Sequence, residues 1–278
     1  MIVAVSTIVF LSLICAIGSY RLFSKTDTKI RITAICVLSL LIAVYLLFVR
    51  DSLFQLHFLP VENAIIWGKW LPSLTGLVVG ICFGMDAKKL KRVKVMLITM
   101  MLVSYLDFGE NFFPRPKSKD LRHKWVTIQS SNTTCSPAAV ASMLRLFGID
   151  RNEKEMIKDC LTTYRGTSRQ GIWRGLVKNC PEGYKVVPVY YKDKKDIEYP
   201  ILIRATLHRG AKNFEQYNKE WGWQAGVPHS VVIEKDNGDG TIRVGDPACG
   251  QENWNKSSLD VLWDHQGFRI VKDNLQET

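Results

Sequence analysis

The sequence lacks the motifs of nucleotide-driven transport and of structural zinc binding. No G-x-x-x-x-G-K-[ST] run occurs in its 278 residues, which excludes a P-loop for nucleotide phosphates. The seven cysteines form no C-x-x-C pair, so a structural zinc site is not expected. Cys15, Cys36 and Cys82 lie in apolar runs, where we expect core or lipid-facing residues. Neither a metal nor an organic cofactor is predicted.

Acidic residues are in deficit, and the net charge is +11, but the basic excess is spread over both halves of the chain. A nucleic-acid partner would require a concentrated basic patch with an aromatic platform or a recognition helix. Neither feature occurs, so we expect no nucleic-acid binding. An anionic bilayer surface is the simpler partner for lysines that flank apolar runs.

Charge is absent from long stretches near the N-terminus. Residues 1–20 are uncharged and long enough to span a hydrocarbon core of about 30 Å. They lack a positive n-region and a small-residue cleavage site, so we predict a retained helix instead of a signal peptide. Further apolar runs cover 32–49 and 63–85, the latter with Pro72 as a candidate kink. Residues 95–106 form a weaker fourth run, for which an interfacial helix is the alternative.

The basic loops predict the orientation of these helices in a bilayer. Lysines and arginines cluster after the first and third runs, which places those loops in the cytoplasm and the N-terminus outside. Four spans would put the C-terminal half outside as well, whereas three would put it in the cytoplasm. We expect about four helices in residues 1–113 of an integral membrane protein, with an extracytoplasmic C-terminal domain. Residues 114–121, with mixed charges and a proline after Pro114, are interpreted as a linker.

The stretch 126–148 carries the first candidate for chemistry. A short β-like run and a polar turn precede an Ala/Met/Leu-rich segment, which predicts a helix that begins near Cys135. The partial positive charge of a helix N-terminus favours a thiolate there. Gln129, six residues earlier, could donate its amide to an oxyanion together with the Cys135 backbone N–H. The alternative is that Cys135 is a small buried apolar residue.

The stretch 227–250 predicts a β-hairpin, with strands near 229–235 and 240–246 around the turn D-N-G-D-G. A two- or four-residue loop would pair Ile233 with Ile242 and His229 with Asp246. Opposed residues share a face, so a carboxylate would lie beside an imidazole and could hold its tautomer. A lone histidine is more often structural, and this pairing with an acid is what singles out His229. Asp236 and Asp239 are better explained as turn residues.

At these residues the chain resembles the C39 family of papain-like cysteine peptidases, which includes the leader-removing domains of bacteriocin exporters. The matching stretches are Q-S-S-N-T-T-C-S-P-A-A, R-G-T-S-R-Q-G-I, P-H-S-V-V-I and V-G-D-P-A-C-G, in family order within residues 122–278. Many members have glycine where this chain has Ser136, so a side chain here bears on the oxyanion hole or the substrate path. No ATPase accompanies the domain, and whether a transporter is a partner is left open.

The resemblance implies an α+β papain-like peptidase domain at 122–278 behind the helical membrane domain of a bacterial cell-membrane protein. It implies a peptide or leader-bearing protein as substrate and four site residues in named roles. Cys135 would be the nucleophile, His229 the acid and base, Asp246 its orienting group and Gln129 the oxyanion donor. Two alternatives are an acyl or amide transferase that uses the same triad and an inactive peptide-binding domain.

Overall fold

The computed structural model describes residues 2–50, 52–58, 64–83 and 113–273, with scattered residues between 91 and 105. Contacts divide the chain into two compact units, Met1–Phe113 and Pro114–Thr278. Residues 114–121, which we predicted to be a linker, lie in the second unit and hydrogen-bond to it. Arg115, for example, donates to the Lys158 carbonyl at 2.8 Å. The domain boundaries drawn from the sequence stay predictions.

The described part of the first unit is helical. Two of its segments, Val3–Phe23 and Thr28–Val49, are long and apolar enough to cross a membrane. Asp27 begins the second of them by accepting a hydrogen bond from the Lys29 backbone N–H. The helices are α1 (Ile2–Phe23), α2 (Thr28–Val44), which continues as a π-helical turn (Tyr45–Val49), a 3₁₀ turn (Leu53–His57), α3 (Ala64–Trp67) and α4 (Leu71–Phe83).

The third apolar run of the sequence differs from the single helix we expected. Its described part is broken between α3 and α4, and the 13 residues of α4 make about 20 Å of helix. The Tyr45 hydroxyl donates to the Gly68 carbonyl at 2.6 Å and accepts from the Trp70 N–H at 3.2 Å. The hydroxyl thereby satisfies two backbone groups at the break between α3 and α4. Pro72 lies in the first turn of α4, where its missing N–H costs nothing. Most of the fourth run, 95–106, lies outside the described residues.

Helices α1 and α4 approach closely at two glycines of a G-x-x-x-G spacing that the sequence analysis did not single out. A Cβ on Gly76 would lie 2.5 Å from the Ser12 carbonyl oxygen, and one on Gly80 would lie 2.0 Å from that of Ala16. Four-residue spacing puts both glycines on one face of α4. Backbone contact of this kind requires glycine at both positions.

The described part of the second unit contains antiparallel strands and four α-helices. Its helices are α5 (Cys135–Arg145), α6 (Glu153–Asp159), α7 (Arg169–Lys178) and α8 (Leu259–Leu262). Its strands are β1 (Leu121–His123), β2 (Val126–Ile128), β3 (Tyr184–Tyr190), β4 (Ile201–Ala205), β5 (His229–Asp236), β6 (Thr241–Asp246), β7 (Gly250–Asn255) and β8 (Trp263–Lys272). The sheet has strand order β3-β8-β4-β5-β6-β7, and β1 and β2 form a separate pair.

Helix α5 is the central element, because it packs against the strands β5 and β2 and against the helices α6 and α7. Every residue from Cys135 to Leu144 is buried, which explains the small, apolar composition of this helix. The Thr127 N–H donates to the Ser142 hydroxyl at 2.8 Å, and Arg145 donates to the Trp125 carbonyl at 2.7 Å. These bonds fix the strand that leads to Gln129 against the helix that begins at Cys135.

An α+β domain therefore follows N-terminal apolar helices, as the sequence predicted. The sheet buries a core from β4, β5 and β6, in which Ile203, Val231, Ile233 and Val244 are fully inaccessible. Burying such side chains contributes about 1.5–3 kcal/mol each relative to exposure. This core holds the two strands that carry His229 and Asp246.

Candidate active site

Cys135 is the first residue of α5, and 8% of it is exposed to solvent. Burial by itself raises the pKa of a thiol, and this is the largest single influence here. Hydrogen bonding to His229, the positive charge of that ring and the Ser230 backbone N–H together outweigh it. The pKa of Cys135 is consequently lowered from its usual value, which favours the thiolate.

The hairpin that carries His229 has the predicted strands but not the predicted register. The Asn237 N–H donates to the Thr241 carbonyl at 3.0 Å, so the loop has three residues between them. Next to this loop, Asp236 pairs with Ile242, whereas the predicted register paired it with Asp239. Farther from the loop, Ile233 pairs with Val244, whereas the predicted register paired it with Ile242. The register derived from a two- or four-residue loop is wrong.

A β-bulge decides which face the two side chains share. Beside the turn, the observed pairing is shifted by three residues from the predicted one. Side chains alternate between the two faces of a strand, so an odd shift would place His229 and Asp246 on opposite faces. The bulge at Glu234, between Ile233 and Lys235, absorbs one residue of β5 and leaves an even offset of two. Extended by one pair, this register sets Asp246 opposite Val231. His229 is then its diagonal neighbour on the same face, which is within side-chain reach.

The imidazole of His229 joins the thiol to the carboxylate. Its Nε2 is 2.6 Å from Asp246 Oδ1, which leaves Nδ1 for the hydrogen bond with Cys135. Burial lowers the pKa of the ring, but the hydrogen bonds to Asp246 and Cys135 and their negative charges outweigh it. The net effect raises the pKa of His229 to about 10. The favoured state is therefore a thiolate beside an imidazolium.

Asp246 is buried and held in place by the chain that follows it. Its Oδ1 also accepts the Ala248 backbone N–H at 2.7 Å, an Asx turn that D-P-A chemistry favours. The Gln129 N–H donates to the Pro247 carbonyl at 2.8 Å. The turn that orients the carboxylate thus also positions the strand that carries Gln129.

Gln129 lines a cleft of about 230 Å³ together with His229 and Asp246. Its Oε1 is buried and has no hydrogen-bond partner among the described residues. The unpartnered atom is the acceptor oxygen of the side-chain amide, and buried acceptors are normally satisfied. A molecule in the cleft that carries an N–H or O–H group would satisfy it.

Two features of this site were missed by sequence reasoning. Trp223 stands edge-on to the His229 ring, with centroids 5.9 Å apart, but nothing near residue 223 in sequence indicates a contact with the histidine. Ser136 and Ser230 are joined by a 2.8 Å hydrogen bond between their hydroxyls. Both serines directly follow site residues, so their positions could have suggested a supporting role. The Ser136 hydroxyl lies 4.0 Å from the Cys135 sulfur.

Metal-ligand atoms also come together beside the cleft. Suitable atoms of Asp246, Cys249 and Glu252 lie within 4.8 Å of one another. Each carboxylate already has a partner within the protein. Asp246 Oδ1 is engaged by His229 and Ala248, and Glu252 Oε2 accepts the Trp254 indole N–H at 2.9 Å. The geometry is thus explained without an ion.

Comparison with known proteins gives likenesses of fold. No protein-family model matches the chain, and no curated protein sequence matches it. The peptidase domain of Streptococcus ComA, a bifunctional ABC transporter of quorum sensing, is 16% identical, with a TM-score of 0.43 over 54% of this chain and all of that domain. The Streptococcus mutans ComA peptidase domain is 15% identical, with a TM-score of 0.37 over 52% of this chain and 98% of that domain.

A third similar structure is a double glycine motif protease from an AMS/PCAT transporter in complex with its leader peptide. It is 16% identical, with a TM-score of 0.41, over 58% of this chain and all of that one. The chain is thus similar in fold to peptidase domains of such transporters. At this level of identity the likeness concerns the fold, and the roles of individual residues rest on the geometry of the site.

Proposed function

We propose that the second unit is a cysteine peptidase that cleaves a peptide bond of a peptide or leader-bearing protein. The observation that supports this most directly is the position of His229, whose Nε2 is 2.6 Å from Asp246 Oδ1 and whose ring lowers the pKa of the Cys135 thiol. His229 and Asp246 line a cleft that Gln129 also lines. A structural cysteine or histidine would not require this combination.

In the proposed reaction the Cys135 thiolate attacks the carbonyl carbon of the scissile bond. The oxyanion that forms accepts hydrogen bonds from the Gln129 amide and the Cys135 backbone N–H. The His229 imidazolium gives its proton to the departing amine, and the C–N bond breaks. The neutral imidazole then takes a proton from water, which attacks the thioester and releases the acid and the thiolate.

Asp246 has an orienting role in this scheme. Its carboxylate accepts the Nε2–H of His229 and so keeps Nδ1 directed at the sulfur. Its negative charge favours the imidazolium that the thiolate needs as a partner. Its burial and its bond to the Ala248 N–H keep the carboxylate in one position.

We further propose that the first unit anchors this peptidase in a bacterial cell membrane, with the peptidase domain outside the cytoplasm. Support comes from the two long apolar helices and from the basic loops of the sequence. A substrate would then meet the enzyme at the bilayer surface.

A peptide library tests the proposed reaction. Full-length protein in lipid nanodiscs should convert library peptides into pairs of fragments whose masses sum to the parent plus one water. Cys135→Ala should abolish this, whereas Cys180→Ala, remote from the cleft, should not. Products that carry a second library peptide in place of water would indicate a transferase. Binding of peptides without any product from folded wild-type protein would indicate an inactive binding domain.

A further inference from the structure

A second, larger cleft of about 530 Å³ lies next to the catalytic one. Both clefts are bordered by Trp221, Trp223, Asp246 and Cys249. The ring of Trp223 meets His229 on one side and Trp254 on the other, with centroids 5.9 and 5.7 Å apart. Trp223 is therefore a shared wall, and a peptide in the catalytic cleft can extend past it into the larger one.

The walls of the larger cleft combine aromatic faces with carboxylates. Tyr217 packs edge-on against Trp221 at 4.6 Å, and 52% of Trp221 is exposed. Trp223 and Trp254 complete the aromatic lining, and the acidic lining groups are Glu220, Glu252 and Asp246.

No lysine or arginine is among the lining residues that the structure describes, although the net charge of the chain is +11. Lys219, adjacent to Glu220 in sequence, is paired with Glu215 at 2.7 Å. Aromatic faces and carboxylates both attract cations, and together they form a site for an ammonium or guanidinium group.

The position of the cleft indicates which part of a substrate reaches it. His229 must deliver a proton to the departing amine, so the segment that leaves lies over the imidazole. Asp246 and Trp223 contact that imidazole, and both line the larger cleft. Gln129, which contacts the acyl part of the substrate in the proposed reaction, lines the catalytic cleft but not the larger one.

We propose that this cleft is a specificity subsite for a lysine or arginine side chain of the substrate, C-terminal to the scissile bond. The inference rests on the peptidase function proposed above and deepens it by naming a substrate class. The basic group would lie against Trp221 and Trp223, with its charge directed to Glu220 and Glu252. The aliphatic part of the side chain would cover the indole faces.

Binding can be measured without catalysis. Full-length Cys135→Ala protein in detergent is titrated with N-acetyl-argininamide and with N-acetyl-citrullinamide, a neutral analogue of the same shape, while tryptophan fluorescence is followed. The arginine compound should bind at least about threefold more tightly, the ratio expected for an exposed cation–π and carboxylate contact. Glu220→Gln should reduce this ratio toward one. Glu182→Gln, at an exposed acid that lines neither cleft, should leave it unchanged.

Cleavage provides the second measurement. Products from the wild-type library digestion should be enriched in lysine or arginine within the first few positions after the cut. Glu220→Gln with Glu252→Gln should reduce cleavage ahead of lysine and arginine more than it reduces cleavage of neutral peptides. Cleavage without basic enrichment would overturn the subsite and leave the peptidase standing. Absence of cleavage, with selective arginine binding, would overturn the peptidase and leave a cation-binding cleft. Equal binding of the two amides would overturn the subsite in either case.

Discussion

At the scale of single residues, the main feature is an electrostatic pair assembled inside the protein. Burial opposes the charged forms of both Cys135 and His229 and is the largest influence on each. The interaction between the two side chains and the Asp246 carboxylate outweigh burial, so the pKa of Cys135 is lowered and that of His229 is raised. The pKa of Cys249, by contrast, is raised to about 11 by burial and by nearby acids. Cys135 and Cys249 are therefore expected to differ sharply in reactivity.

This difference predicts the order of alkylation. With limiting iodoacetamide near pH 7, Cys135 should be labelled faster than Cys160, Cys180 and Cys249, whose pKa values are all raised by burial. A lowered pKa means that the thiolate persists as the pH falls, and the raised pKa of His229 preserves the imidazolium up to about pH 10. The labelling rate of Cys135 should thus reach its plateau below pH 9. Mass spectrometry of each cysteine peptide measures this.

Asp246→Asn is the matched variant for that experiment. Without the carboxylate the pKa of His229 should fall toward its ordinary value and that of Cys135 should rise. Each unit by which the thiol pKa rises above 7 would slow labelling at pH 7 about tenfold, because the thiolate fraction then falls by that factor. Labelling of Cys135 no faster than Cys249 in the wild-type protein would remove it as the nucleophile.

Gln129 gives the second prediction at this scale. If its amide stabilises the oxyanion, Gln129→Ala should lower kcat by about 10²–10³ with little change in KM, because the bond forms only in the transition state. Asn132→Ala is the control, since Asn132 lines the same cleft and has no role in the proposed reaction. Steady-state kinetics on a peptide identified from the library measures both. Wild-type kcat in folded Gln129→Ala protein would exclude the role.

At the scale of elements, close packing fixes α5 and α7 together with the loop that precedes α7. Gly175 of α7 faces Cys160, and a Cβ added there would lie 2.3 Å from the Cys160 sulfur and 3.5 Å from Val140 of α5. Cys160 is fully buried, so it cannot move aside without disturbing the core. Both residues act as structural parts of the interior that supports the start of α5.

Gly175→Ala should therefore destabilise the second unit by about 1–3 kcal/mol, the usual cost of overfilling a packed interior. Cys160→Ala should also destabilise it, through the cavity left by the sulfur. The double variant should be more stable than the sum of the two single effects predicts, because the new methyl occupies the vacated space. Urea unfolding followed by tryptophan fluorescence measures the three values. Simple additivity would show that the two side chains do not share this space.

At the scale of the whole molecule, the chain joins an apolar helical unit to an α+β unit. The positive-inside rule assigns the basic loops after the first and third apolar runs to the cytoplasm. On that basis the number of spans before Pro114 decides on which side the proposed peptidase meets its substrate.

Four spans predict that both termini are outside. Alkaline phosphatase fused after Thr278, which is active only outside the cytoplasm, should be active, and a green fluorescent protein fused there through the same export route should be dark. Fusions after Leu90, in the basic loop that follows the third run, are the matched control and should give the opposite pattern. A cytoplasmic signal from the Thr278 fusion would mean that 95–106 does not span and would reverse the proposed location.

The sequence by itself determined the local features. Long uncharged runs predicted apolar helices. The segment around Cys135 predicted the start of a helix, and the Asn-Gly turn predicted two strands. These local features depend on the propensities of neighbouring residues, which the sequence contains. The register was not predictable, since a three-residue loop and a bulge at Glu234 are chosen by packing of β5 against β4 and β6. The break before α4 likewise depends on Tyr45, 23 residues away from Gly68. Only the tertiary structure could bring Trp223 to Trp254 and open the acidic aromatic cleft, because contacts between distant residues leave no periodic trace in the sequence.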